Sequence, residues 1–99
     1  DDLTRKEVVS MLYMISYDLK MPGRDYSALY AAIKGCGAWW HYLESTWIVK
    51  TTQTISDVAS LLRSTIDQND SIIVVDITGK TRDGWLPQKA WDWIRDNNS

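Results

Sequence analysis

Phenylalanine is absent from the 99 residues, so the bulky apolar surface must come from six Trp and five Tyr. Each of those carries a polar handle that wants a partner or a wet edge, a composition that favours interfaces. A single cysteine, Cys36, excludes an internal disulfide, and its Gly35-Cys36-Gly37 setting brings no His or Lys beside it to lower its pKa. It reads as structural or spare. The only histidine, His41, makes neither a triad nor a zinc site, and between Trp40 and Tyr42 it reads as a hydrogen-bonded, partly buried imidazole. No window reaches the apolar length of a membrane span, and the opening Asp1-Asp2-Leu3-Thr4-Arg5-Lys6-Glu7 is unlike a signal peptide, so a cytoplasmic location is expected. An excess of positive charge is lacking too: 11 Lys and Arg face 13 Asp and Glu, for a net charge of −2. The electrostatic footprint of a general nucleic-acid binder is therefore missing, and any such function needs local charge or a metal.

What is present is enough apolar residue, 44%, for one packed core and too little chain for two. Residues 1–10 read as an N-terminal extension, with Met11 a candidate start, and residues 11–99 as one domain. The domain is organised around Met11-Leu12-Tyr13-Met14-Ile15-Ser16-Tyr17, a strand-like stretch that ends in Asp18 and the turn signal Lys20-Met21-Pro22-Gly23-Arg24. Leu12 and Met14 alternate with Tyr13, Ile15 and Tyr17, so both faces are apolar and one helical layer cannot cover them.

Further along, Tyr26, Leu29, Tyr30 and Ile33 have helical spacing, with Asp25 as the expected N-cap and Gly35-Cys36-Gly37 as the stop. Two short alternating strands, Ala38 to Glu44 and Thr46 to Thr51, are joined by a tight turn. Thr54-Ile55-Ser56-Asp57 has capping-box form and opens a helix whose apolar face is Ile55, Val58, Ala59, Leu62 and Ile66. Asp67-Gln68-Asn69-Asp70 breaks it, and Ser71 to Thr78 is the strongest strand pattern, apolar on both faces. The glycine-bounded loop 79–84 leads to a short helix behind Pro87, with Ala90, Trp91 and Ile94 on one face.

The order strand, helix, strand, strand, helix, strand predicts an α+β fold, ferredoxin-like βαββαβ with a four-stranded antiparallel sheet, plus a short Trp-rich C-terminal helix. The first and fourth strands, apolar on both faces, are expected in the middle of the sheet. Two helices cover one face. The other face calls for a folded-back tail or a symmetric dimer, and the dimer is the favoured expectation, with Tyr13, Tyr17, Trp40, Trp85 and Trp91 as its packing surface.

Among candidate functional residues Asp18 leads, because strand ends of this kind hold ligands. A hard cation such as Mg2+ needs one or two carboxylates plus waters and phosphate, and a two-fold axis near this strand end supplies a second Asp18. Lys20 and Arg24 flank it as phosphate-binding candidates, and Lys80 with Arg82 form a second basic cluster. A plainer reading makes Asp18 a cap for the turn before Pro22 and the basic residues scattered surface charge. Trp39 and Trp40 invite base stacking, but the basic, Gly- and Phe-rich strand signature of RNA-binding sheets is missing, which favours packing. Asp76 and Asp83 have no acid/base spacing and carry no assigned role.

The strand ending Ile15-Ser16-Tyr17-Asp18, the helix after it and Ser45-Thr46-Trp47-Ile48-Val49 resemble the CRISPR-associated protein 2 family and the related VapD-like proteins. Gly37-Ala38-Trp39-Trp40-His41-Tyr42-Leu43 and Gly84-Trp85-Leu86-Pro87 resemble uncharacterised bacterial SinR-like proteins of that group. The resemblance covers roughly Met11 to Ile94. It implies a ferredoxin-like homodimer, with Asp18 as the metal-binding and catalytic residue of a Mg2+-dependent endonuclease hydrolysing RNA or DNA phosphodiesters. That nuclease is the leading expectation; the alternative is a non-catalytic dimeric scaffold, which the resemblance also implies, or an interaction module for protein or nucleic acid, favoured by the surplus of tryptophan and the acidic balance. The acidic balance and the Trp-rich C-terminal segment depart from the nuclease pattern.

Overall fold

The computed structural model describes residues 9–98. Most of the expected N-terminal extension, residues 1–8, lies outside the described residues. The elements run β1 (Met11–Asp18), α1 (Ser27–Lys34), β2 (Ala38–Leu43), β3 (Thr46–Thr51), α2 (Ile55–Arg63), β4 (Ser71–Asp76) and α3 (Gln88–Asn97). They form one four-stranded antiparallel sheet in the order β2-β3-β1-β4 with α1 and α2 on one face, the ferredoxin-like arrangement expected.

The centre of that sheet differs from expectation. β1 and β3 are the inner strands, and β4 is an edge. β1 pairs with β3 from Met11↔Thr51 to Ser16↔Thr46 and with β4 from Tyr13↔Asp76 to Asp18↔Ser71. In β3, Trp47, Ile48 and Val49 are all buried, as its inner position requires. In β4 the apolar residues of the helix-side face, Ile72 and Val74, pack on the core, whereas Ile73 on the other face is 60% exposed. The same pattern, apolar on both faces, belongs to an inner strand in β1 and to an edge strand in β4.

Local signals set the helix ends. Thr54 caps α2, its Oγ1 accepting the Asp57 N–H at 3.1 Å. Asp25 lies one residue before the α1 cap position, which Tyr26 occupies, and its carboxylate accepts the Ser27 N–H at 2.9 Å. At Gly37 φ is +152°, and a Cβ there would meet the Lys50 carbonyl oxygen at 2.1 Å, so only glycine lets β2 start this close to β3.

Two cores result. The larger, between the sheet and α1/α2, holds Tyr13, Ile15, Leu29, Ile33, Val49, Val58 and Leu62. The smaller, on the opposite face, gathers Leu12, Trp40 and Ile48 under Ala90 and Ile94 of α3. The second face therefore receives its cover from the chain's own tail, the alternative that the sequence reading ranked behind a dimer. The physical reason is geometric: the segment 77–87 rounds the sheet, tied down where Ile77 N–H reaches the Leu12 carbonyl at 2.9 Å and Leu12 N–H reaches Thr78 Oγ1 at 2.8 Å. That delivers α3 to the bare face, where the Trp40 indole N–H donates to the Ala90 carbonyl at 3.1 Å. The cover is incomplete, since a half-open hollow of about 180 Å³ remains among Met14, Ile48, Ile77, Leu86, Trp91 and Ile94. Among the described residues no helix is long and apolar enough to cross a membrane.

Candidate functional site

The carboxyl end of β1 meets the start of β4, because Asp18 is paired with Ser71 in the sheet register. Around it lie the turn 19–26 and the turn 67–70. Asp18 projects into solvent with 65% of its side chain exposed, and Lys20 Nζ sits 2.8 Å from its Oδ2. Hydrogen bonding to Asp18, and then its charge, hold the Lys20 ammonium above the usual lysine range, so the lysine is charged at neutral pH. An exposed pair of this kind is weakly held and opens readily for a competing ligand. Ser16, Tyr17, Asp18, Ser71, Ile72 and Ile73 line a shallow hollow of about 280 Å³ beside it.

Arg24 does not join that pair. Its guanidinium lies 3.7 Å from Asp67 and 5.4 Å from the centre of the Tyr26 ring. The residue that organises both turns is Asp70, which sequence reading treated only as part of a helix break. Its carboxylate accepts the Lys20 N–H at 2.7 Å, the Asp67 N–H at 2.8 Å and the Tyr26 hydroxyl at 2.8 Å. Burial opposes its ionisation, but these three donors and the nearby Arg24 outweigh burial and hold its pKa below the ordinary aspartate value. The Asp-x-Asn-Asp spelling of the turn was the available signal, since Asp67 also accepts the Asn69 N–H at 3.0 Å.

The remaining candidates divide between core and surface. Tyr13 is buried, its hydroxyl donating to the Gln53 carbonyl at 2.8 Å. Trp40 is buried under α3, and Trp91 packs at the edge of the same cluster. Tyr17 is half-buried, and its hydroxyl accepts the Trp47 indole N–H at 3.0 Å. Burial raises its pKa despite that bond, so the hydroxyl stays protonated. Trp85 touches almost nothing, being 99% exposed. His41 is exposed rather than partly buried: it lies flat on Trp47, ring centres 3.7 Å apart at 13°, and its Nε2 is 3.1 Å from the Glu44 carbonyl. Cys36 is buried, its thiol pKa is raised by that burial, and its Sγ is bonded to the Ala32 carbonyl, which suits a structural role.

Chemically, the carboxyl end of β1 offers one exposed carboxylate, Asp18, already paired with a lysine. Among the described residues no three His, Cys, Asp or Glu side chains gather to hold a metal ion. Asp18 alone would give a magnesium ion one of the one or two carboxylates it uses, with waters and phosphate left to complete its shell. No family model, curated protein or solved structure matches the chain, so function has to be read from this geometry.

Proposed function

We propose that the chain is a non-catalytic homodimeric interaction module of the CRISPR-associated protein 2 and VapD-like kind. The observation that supports this most is Trp85, an indole left 99% in solvent at the end of the loop that carries α3. Burying such a side chain removes about 150–250 Å² from water. At about 25 cal/mol per Å² that is a gross gain of about 4–6 kcal/mol, and tryptophan is a preferred anchor of protein interfaces. A second copy of this chain is the occupant that β4 favours. Its outer edge is unpaired, it contains no Pro or Lys to discourage pairing, and Ile73 stands 60% exposed on it. Antiparallel strands of one sequence pair with themselves about a two-fold axis. The free, buried thiol of Cys36 fits a reducing compartment such as the cytoplasm.

Sedimentation velocity over a concentration series tests this. Wild type is expected to dimerise, and Trp85→Ala or Ile73→Lys to shift the equilibrium toward monomer. A wild-type chain that stays monomeric at every concentration sinks the reading.

A second reading, a Mg2+-dependent endonuclease acting on RNA or DNA, is favoured by one observation: Asp18 is exposed at a strand end beside Lys20. In its dimeric form that reading places two Asp18 side chains around one ion. A β4-to-β4 dimer centred on Ile73 and Val74 would instead separate the two Ser71 residues, and with them the Asp18 residues, by roughly 17 Å along the strand at about 3.4 Å per residue. The two dimeric forms thus exclude each other through that interface. Mg2+-dependent cleavage abolished by Asp18→Ala would decide for the nuclease.

A further inference from the structure

A second concave site, which shares Tyr17 with the hollow beside Asp18 but not Asp18 itself, lies between α1 and the β2-β3 hairpin. Its walls are Tyr17, Tyr30, Lys34, His41, Glu44 and Trp47, and it is an open hollow of about 330 Å³, within the range of sites for small ligands and cofactors. Tyr30 and Lys34 are one helical turn apart on α1 and so face the hairpin together.

Three features make it a built site. Trp47 is buried and fixed by its N–H bond to Tyr17, with Tyr30 stacked near it at 6.2 Å and 20°. His41 lies flat on Trp47 and leaves its own outer face in water, so the upper ring of a stack is already in place for another planar group. Lys34 and Glu44 are both exposed, and among the described residues neither is in an ion pair; Lys34 Nζ is held 5.0 Å from the centre of the Trp39 ring. A ligand matched to this set has a planar ring, N–H donors on its edge for a carboxylate, and an anionic group for the lysine.

We infer that this cleft binds a nucleotide, its base stacked on His41 over Trp47, its phosphate on Lys34, and base N–H groups donated to Glu44. Aromatic side chains stack bases of any identity. A carboxylate accepts two bonds side by side. Guanine, whose N1–H and amino group lie on one edge, is therefore preferred over uracil. The site is independent of the dimer reading, since none of its six residues lies on β4 or in the loop that carries Trp85.

Calorimetric titration of the full chain tests it, with guanosine 5′-monophosphate, uridine 5′-monophosphate, guanosine and inorganic phosphate as probes. Lys34→Ala is expected to weaken guanosine 5′-monophosphate about tenfold, the scale of one charge-assisted contact, and to leave guanosine unchanged. Glu44→Gln is expected to erase the preference for guanine, and His41→Ala to weaken both nucleotides. Lys34 and Glu44 are exposed, so urea unfolding curves matching wild type confirm that these variants fold. A short guanine-containing single strand separates the sources: affinity equal to that of the mononucleotide identifies free nucleotide as the ligand, and tighter binding identifies a strand. No binding of guanosine 5′-monophosphate, binding unaffected by Lys34→Ala and Glu44→Gln, or equal binding of free tryptophan overturns the inference.

Discussion

Replacing Trp40 by Phe isolates what holds the C-terminal helix to the sheet. Trp40 is 2% exposed, and its indole N–H is the hydrogen bond that reaches across from β2 to the Ala90 carbonyl of α3. Phenylalanine keeps an aromatic ring in place but removes that donor, which contributes about 0.5–1.5 kcal/mol. It also removes part of the buried ring system, worth about 1–1.5 kcal/mol in lost burial and added void. A half-open hollow of about 180 Å³ already adjoins Trp40, so the new space adds to it rather than closing. Together the substitution should destabilise the fold by about 1.5–3 kcal/mol, a fall in melting temperature of roughly 6–24 °C for a chain of this size. Urea unfolding at low protein concentration measures it, read as a lower midpoint at unchanged slope. Trp85→Phe is the control: at 99% exposure it should leave the monomer's stability within about 0.5 kcal/mol. Equal effects of the two substitutions would refute the claim that α3 is anchored through Trp40.

Gly37→Ala should destabilise by about 2–4 kcal/mol, because its Cβ runs into the Lys50 carbonyl as well as a left-handed backbone angle, whereas Gly23→Ala, with φ +81° but open space around it, should lose only about 1–2 kcal/mol; chemical denaturation ranks them. Thr54→Ala removes the α2 cap and should lose about 1 kcal/mol in the same assay. Asp70 has a folded-state pKa below its unfolded value of about 3.9, so its stabilising effect is complete above that value and fades as pH falls through the folded pKa. Asp70→Asn should therefore lower stability at neutral pH and flatten the acid limb below about pH 4 in a pH series of unfolding curves; an unchanged acid limb would show that the hub at Asp70 is not formed.

Much of this fold could be read from alternation and punctuation. The Tyr26/Leu29/Ile33 face, the Thr54 cap, the β3 limits and the Ala90/Ile94 stripe appear where periodicity and turn residues put them. Sheet position was harder, because burial on two faces is a property of what covers a strand and not of its neighbours. β4 is apolar on both faces at an edge, and β3 is central. The choice between tail and dimer also escaped the sequence, since it turned on how the loop 77–87 is pinned to Leu12, a contact between residues 66 positions apart. At the strand end, Asp18 and Lys20 were brought together as their spacing suggested, while Arg24 went to Asp67. The turn 67–70 had a local spelling, but the bonds from Lys20 and Tyr26 to Asp70 and the ring stack of His41 on Trp47 depend on chain segments meeting in space.

The central claim is that each chain closes its own sheet with its own C-terminal helix. Nuclear Overhauser contacts in an isotope-labelled chain, diluted into excess unlabelled chain, test it most directly. Contacts from the Trp40 indole ring to the methyl groups of Ala90 and Ile94 should persist at full strength within the labelled chain on dilution. Their loss on dilution, or their appearance only between labelled and unlabelled chains, would mean that the helix belongs to a neighbour and would contradict the account.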